Sequence, residues 1–446
     1  MTAVPTHVAV QPAGPGRMTA GPPSVPPAGV PLVFLTAAAA GLVGFGVALA
    51  LVASTAVVAP SAPKVVAAVH LAMLAFLSTA VLGAMHQFAP VVAARPLRST
   101  RAAYATAAVF VPAVWTLALG FATGHPALVS AGGGGAFCGI ALAVWNLSGP
   151  LSARGKGTTV LGLRFALGFL VLTAAFGVTY AFDRQAFWFG LLPRRVLAHA
   201  HLGLLGWLGL AYVAVAEKLW PMFLLAHRPG AHTGDWAVRL LPAGALVLAT
   251  GLLIPNKPVA VAGGLLAAAG LASHLASLAG VIHQRRRPLE LLHAFVLASA
   301  ASLIVAAVAG GLAGLTPVSV VWRIRLTSVE VLALIGWLGL AIVGHAHKIV
   351  PFITWSSLRA RGVTTGPDGT PLLFAHLFHH PTARLTFATA TTGVAAALAG
   401  AATGTAPLVR LGGVALAATG VLALANLGLG PRRVAAHHPR RQGSQP

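Results

Sequence analysis

The feature that most constrains this chain is a succession of apolar stretches, most of them about 20 residues or longer. A helix of about 20 apolar residues crosses the ~30 Å hydrocarbon core of a bilayer. The stretches are continuous and do not alternate, which favours membrane-spanning helices over a β-barrel. Of 446 residues, 57% are apolar and only 8% are charged, too few to cover a soluble protein. The sequence therefore predicts an all-α integral membrane protein in contact with the lipid bilayer.

Twelve such stretches can be assigned. Their predicted bounds are 31–58, 65–92, 102–122, 126–148, 160–182, 196–225, 237–254, 258–283, 290–314, 326–353, 384–403 and 407–429. Residues 1–30 are rich in Pro, Gly and Ala, and residues 431–446 are basic. Neither end has an apolar core of its own, so both are predicted to be disordered tails.

The charge distribution indicates the orientation in the membrane. The net charge is +23, but the Arg residues stand in short clusters between apolar stretches, so nucleic acid is not the expected partner. The segments after the even-numbered spans, with the N-terminal tail, hold more than twice as many Lys and Arg residues as the other side. Because positive residues concentrate on the cytoplasmic side, both termini are predicted to be cytoplasmic, in a multi-pass protein of the cell (inner or plasma) membrane. The single Cys138 excludes an intrachain disulfide and a thiolate metal cluster.

An internal repeat relates spans 2, 6 and 10. The spans end on Gln87–Pro90, Lys218–Pro221 and Lys348–Pro351, whose prolines are 131 and 130 residues apart. The hexapeptide GWLGLA occurs at Gly206–Ala211 and again at Gly336–Ala341, at the same distance before the proline. The chain is therefore predicted to contain three four-helix units, 31–150, 151–286 and 287–430, around a pseudo-threefold axis.

Three histidines are placed for cofactor binding. His70 and His201 each stand twenty residues before their proline, and His199 lies at the same depth. Ionisable groups within a membrane are costly and are usually functional. Two His residues two apart on a helix point in opposite directions, so His199 and His201 would serve two different sites. The alternative is that each simply hydrogen-bonds a carbonyl, which we also expect for His274 in span 8.

Haem is the natural candidate for these histidines. A bis-imidazole iron site takes one neutral His from each of two facing helices, with an apolar slot between them. Its propionates need cations near the membrane surface, and Arg194 and Arg195 precede span 6. The predicted haem-binding residues are therefore His70, His199, His201, Arg194 and Arg195.

A second metal site is predicted at the other end of the same spans. His86, Glu217 and His347 stand four residues before their prolines, and His345 is two residues from His347. Copper or zinc could take such nitrogen and oxygen ligands. The alternative is that Glu217 pairs with Lys218 or Lys348 and that the histidines are satisfied locally.

Two stretches resemble a known family. Ala198–Pro221, AHAHLGLLGWLGLAYVAVAEKLWP, is similar to the tenth helix of the haem-copper oxidase subunit I superfamily, closest to cbb-type oxidases and nitric oxide reductase-like large subunits. His70–Pro90 resembles the second helix of that family, whose His ligates the low-spin haem. The resemblance implies twelve spans in three arcs, with His70 and His201 as the axial pair of a haem b. It also implies that His199 ligates a second, high-spin haem.

The chain departs from the family at its copper centre. The tenth-helix motif falls on span 6, span 7 has no His-His pair, and no His is followed by a Tyr four or five residues on. The resemblance implies an oxidoreductase acting in electron transfer, or in oxygen or nitric oxide chemistry, with a cytochrome or other electron-donor subunit as partner. Two alternatives stay open: a transporter of a metal ion or small solute, and a non-catalytic accessory protein of the NnrS type that responds to haem or nitric oxide.

Overall fold

The computed structural model describes residues 25–153, 157–227, 232–366 and 369–437. Within these ranges twelve helices are long and apolar enough to span a membrane, which confirms the predicted all-α, multi-pass class. They are α1 Gly29–Leu51, α2 Pro63–Ala93, α3 Thr100–Thr123, α4 Pro126–Leu151, α5 Gly157–Ala186, α6 Pro193–Leu224, α7 Thr233–Leu253, α8 Lys257–His283, α9 Leu291–Leu315, α10 Val320–Ala360, α11 His380–Thr403 and α12 Ala406–His437.

The ends of the chain differ from the prediction. The first predicted span is divided at Val52, after which a separate short helix covers Ala53–Val58. At the other end α12 continues to His437, so the predicted tail is wrong for residues 431–437. Once a helix has formed, each further residue adds a backbone hydrogen bond, and the Arg and Ala residues here are good helix formers. The predicted tails over residues 1–24 and 438–446 lie outside the described residues.

Helix α10 is much longer than its predicted span of 326–353. It has 41 residues and begins where the Ser319 hydroxyl accepts a hydrogen bond from the Trp322 amide. At 1.5 Å per residue it is about 60 Å long, roughly twice the hydrocarbon thickness. It therefore extends beyond the membrane core, and Pro351 lies within it rather than at its end.

Two of the spans contain π-helical segments in matching positions. Leu71–Ser78 in α2 and Leu202–Gly209 in α6 each have eight residues, and each begins directly after a histidine, His70 or His201. Helix α10 is α-helical throughout. π-Helical segments are rare and are frequent at functional sites. The two π segments thus mark the parts of α2 and α6 where functional residues are to be sought.

Helices α2, α6 and α10 meet at the centre of the bundle. The Trp207 indole N–H donates to the Ser78 hydroxyl at 3.0 Å. A Cβ at Gly209 would lie 3.1 Å from the Trp337 ring, and one at Gly339 would lie 3.1 Å from the Phe76 ring. The three aromatic side chains are buried. Each large ring therefore packs on a small residue of a neighbouring span, which fixes the spacing of the three helices.

Candidate functional site

His70 projects from α2 towards α3. Its Nδ1–H donates to the carbonyl of Val66 at 2.8 Å, and its ring stacks on Phe121 at a centroid distance of 5.1 Å. A proton on Nδ1 leaves the lone pair of Nε2 available, since neutral imidazole carries one N–H. A histidine held in this way by a backbone carbonyl is oriented as metal-ligating histidines usually are.

His199 projects from α6 towards His70 of α2 and towards Tyr180 of α5. The two imidazoles are close enough to interact electrostatically, and the Tyr180 ring meets His199 edge-on at 5.8 Å. A Cβ at Gly177 of α5 would lie 3.2 Å from Cε1 of His199, so glycine makes room for the ring. The Thr173 carbonyl approaches the ring, yet Nδ1 of His199 is buried without a hydrogen-bond partner of acceptable geometry.

His201 faces a different neighbour. Its Nδ1–H donates to the Leu197 carbonyl at 2.8 Å, and its Nε2 lies 3.4 Å from a carboxylate oxygen of Glu330 on α10. The two side chains are only 13% and 18% exposed. The opposite orientation expected of His199 and His201 is therefore seen: the first is turned towards α2 and α5, and the second towards α10.

Glu330 is a site residue that the repeat analysis missed. It stands one residue before Val331, the position in the third unit that corresponds to His70 and His201. Comparing the three units position by position therefore passed over it. The signal that could have found it is its charge, because a carboxylate within an apolar span is costly and needs a partner.

Basic side chains surround the His70–His199 end of the bundle. The Arg184 guanidinium lies over the Phe121 ring at 5.0 Å and interacts electrostatically with His70. Nε of Arg194 is buried without a hydrogen-bond partner, whereas Arg195 donates to the Gly190 carbonyl at 2.8 Å. Two imidazoles on neighbouring helices, aromatic walls and nearby cations are a donor set that fits haem iron and its carboxylates. Of the two predicted arginines, Arg194 is the one whose Nε donor is unused.

The four residues of the predicted second metal site each have a local partner. His86, His345 and His347 donate from Nδ1 to the carbonyls one turn earlier, and Nε2 of His347 lies 3.3 Å from the Asn426 amide nitrogen. Glu217 accepts from the Ser277 hydroxyl at 2.6 Å and lies 3.2 Å from Nδ1 of His274. In the part of the chain that the structure describes, no three His, Cys, Asp or Glu residues are grouped closely enough to hold a metal ion.

Two hydrogen-bond partners predicted from the sequence, those of Lys348 and His274, are wrong. Lys348 does not pair with Glu217, because its ammonium binds the Glu290 carboxylate at 2.8 and 2.7 Å. His274 does not bind a carbonyl through Nδ1; it faces the Glu217 carboxylate instead. A carboxylate within the bundle competes with neutral carbonyls for the imidazole N–H, since charge-assisted hydrogen bonds are the stronger.

Comparison with solved structures finds a relative in fold. The chain superimposes on a structure described as a heme-copper terminal oxidase dimer, with a TM-score of 0.57 and 12% identity, over 90% of this chain and 84% of that one. No protein-family model matches the chain. No curated protein matches it in sequence. At this identity the likeness establishes the fold alone, and the fold is the one that the motifs of α2 and α6 predicted.

Proposed function

We propose that this chain is a haem-binding membrane subunit of the haem-copper oxidase type, with a haem b held between His70 and His199. The observation that carries the proposal is that the imidazoles of His70, on α2, and His199, on α6, lie close enough to interact electrostatically. The His70 ring is oriented by a backbone carbonyl, which leaves its Nε2 lone pair available for iron. The oxidase fold supports the proposal without deciding the ligands.

The surroundings favour haem over a bare metal ion. A bare transition-metal ion needs three or four ligands close together, and the described residues offer no such group. Haem iron needs only two axial ligands from the protein, because the porphyrin supplies four nitrogens. Phe121 and Tyr180 provide apolar walls, and Arg184 and Arg194 provide cations for the propionates.

The proposed role is electron transfer. When bound, haem supplies a one-electron carrier, and two axial histidines leave no open position on the iron for oxygen or nitric oxide. The residues of this chain would hold the iron, exclude water and neutralise the propionates. We further propose the plasma membrane, cytoplasmic termini, and a cytochrome or other electron-donor subunit as partner. The copper predicted for His86, Glu217, His345 and His347 is not part of the proposal.

Haem content in substituted proteins tests the ligands. We expect His70→Ala and His199→Ala to lose the haem that co-purifies with the wild type from haem-replete cells. His125→Ala is the matched control, since His125 is exposed before α4. Full haem content in both ligand variants would overturn the proposed pair. Carbon monoxide should leave the reduced spectrum unchanged, and a shifted spectrum would show an open iron position and favour gas chemistry over electron transfer.

A further inference from the structure

Two adjoining cavities lie between α1 and α2 on one side and α10, α11 and α12 on the other. The larger measures about 640 Å³ and is bounded by α1, α2, α10, α12 and the connection from α10 to α11. The smaller measures about 450 Å³ and is bounded by α1, α2, α10, α11 and α12. Leu42, Phe76 and Val343 line both cavities, so the two meet at these side chains. We call the pair the long crevice.

The long crevice follows α10 for much of the length of that helix. Its lining residues on α10 run from Leu332 to Pro351, which are ~28 Å apart along the helix axis at 1.5 Å per residue. One leaflet of a bilayer contributes ~15 Å of hydrocarbon, half of the whole apolar core. The crevice is therefore long enough to hold an extended lipid chain.

The walls of the long crevice are apolar along most of its length. In the smaller cavity the hydroxyl of Thr419 already donates to the Ala415 carbonyl at 2.8 Å. No Lys, Arg, Asp or Glu among the described residues lines either cavity. Protein interiors leave few voids larger than a water molecule, and apolar cavities stay free of water. A hydrocarbon chain is therefore the occupant that suits these walls.

The remaining polar side chains of the crevice gather at one end. They are His347, His379 and Asn426, and all three line the larger cavity. His347 stands four residues before Pro351 on α10, and His379 belongs to the connection that leads to α11. The Phe378 ring, from the same connection, meets the His347 ring edge-on at 6.1 Å. The crevice thus has an apolar length and one polar end, which is the division of a single-chain lipid into tail and head group.

The hydrogen bonds at the polar end indicate the kind of head group. The Nδ1–H of His347 donates to the Val343 carbonyl at 2.7 Å, so Nε2 of this ring is an acceptor. The Asn426 amide nitrogen lies 3.3 Å from that Nε2 and 3.3 Å from the Thr386 hydroxyl, so both of its N–H groups have acceptors.

The carbonyl oxygen of Asn426 has no hydrogen-bond donor among the described residues. An amide oxygen accepts a hydrogen bond from a hydroxyl. A phosphate or carboxylate would need a cation beside it, because a buried charge is costly unless it is paired, and no Lys or Arg of the described residues lines the crevice. The polar end therefore suits an uncharged head group that carries an O–H.

We propose that the long crevice binds a single-chain lipid with an uncharged hydroxyl head group, of the monoacylglycerol class. The chain lies along α10 from Val343 towards Leu332, and a head-group hydroxyl donates to the Asn426 carbonyl oxygen. Because lipid tails are as apolar as the crevice, the chain alone gains little by leaving the bilayer, and the hydrogen bond at Asn426 supplies the selectivity. The site does not depend on the proposed haem, since no residue proposed to hold the haem lines the crevice.

Binding of monooleoylglycerol to the full-length protein in detergent tests the site. We expect native mass spectrometry to show one bound molecule per wild-type chain and several-fold lower occupancy in Ala423→Phe, whose ring would fill part of the larger cavity. Ala425→Phe is the matched control, since Ala425 is exposed on the same helix. Equal occupancy in the two variants, or a wild type without a bound molecule, would overturn the proposal.

The head group is tested with oleate and oleoyl lysophosphatidylglycerol, which carry the same chain on a charged head. We expect both to bind the wild type several-fold more weakly than monooleoylglycerol does, and Asn426→Leu to remove this preference. Binding of either charged lipid as tight as that of monooleoylglycerol would overturn the assigned head group. An unchanged preference in Asn426→Leu would overturn the role of Asn426.

Photolabelling of the wild type tests the location without any substitution that could impair folding. Monooleoylglycerol with a diazirine at the end of its chain should label Leu332 or Val394, which line the smaller cavity. The same lipid with a diazirine beside its head group should label Asn426 or His347 in the larger one. Labels found only on exposed side chains such as Val421 of α12 would place the lipid on the outer surface of the bundle and overturn the proposal.

Discussion

Nε2 of His201 lies 3.4 Å from Oε1 of Glu330, a contact between α6 and α10 across 129 residues of sequence. The Glu330 carboxylate thus faces Nε2 of His201, the atom through which this histidine would ligate iron. His199, two residues earlier, faces His70 instead. The contact therefore supports a structural role for His201 and leaves His199 for the proposed cofactor role.

This division predicts different outcomes for two neighbouring substitutions. His199→Gln should abolish haem binding because it removes an axial ligand, whereas His201→Gln should retain haem because Gln can still hydrogen-bond Glu330. The measurement is the haem-to-protein ratio of each purified variant. Loss of haem in His201→Gln with retention in His199→Gln would restore the family assignment, in which His70 and His201 are the pair.

Removing the carboxylate should destabilise the bundle. Glu330→Ala leaves His201 without its partner in a largely buried site, and breaking a buried pair costs about 3–5 kcal/mol. The side chains are 13% and 18% exposed, so we expect about 1–3 kcal/mol, seen as a lower Tm. Lys348→Met is the control, because the Lys348–Glu290 pair is more exposed and should be worth about 0–1 kcal/mol. Equal losses in both variants would contradict a special role for Glu330.

The central hydrogen bond predicts a cost at Ser78. Ser78→Ala leaves the Trp207 indole N–H buried and unpaired, which costs about 1–3 kcal/mol. Thr250→Ala provides the comparison, because its hydroxyl only donates to the Leu246 carbonyl within its own exposed helix turn. Thermal unfolding in detergent measures both. A Ser78→Ala protein as stable as Thr250→Ala would show that the bond adds little.

Close helix packing predicts a steep difference between two glycines. A Cβ at Gly41 of α1 would overlap the Ala75 carbonyl in the π segment of α2, whereas nothing lies within 4 Å of one at Gly168. Gly41→Ala should therefore lower the Tm or prevent folding, at a cost of about 1–3 kcal/mol for overpacking. Gly168→Ala should be neutral or slightly stabilising, since Ala favours a helix over Gly. A neutral Gly41→Ala would mean that α1 and α2 can separate.

Much of the fold could be predicted because the signal is long and repeated. Twelve apolar stretches with spans near 20 residues determine the helix count, and the motifs of α2 and α6 pointed to the fold that the oxidase structure shares. The break at Val52 lies inside a continuous apolar stretch, and α10 continues past its apolar stretch at both ends, so hydropathy marked neither feature.

The candidate site was harder to predict, because side-chain direction decides it. Spacing placed His199 and His201 on opposite faces but could not tell which face meets α2. The π segment that begins at Leu202 has more residues per turn than the 3.6 of an α-helix. Side-chain directions on either side of it therefore do not follow from α-helical spacing alone. Glu217 was grouped with histidines at its own depth, whereas its partners His274 and Ser277 come from α8, which the repeat does not relate to α6.

The most direct test of haem binding is the absorption spectrum of the wild-type protein, purified from haem-replete cells, before and after reduction with dithionite. The proposed His70–His199 site predicts about one haem per chain, with the sharp α and β bands of reduced low-spin haem b. A colourless protein under these conditions would contradict haem binding and favour a transporter built on the oxidase fold.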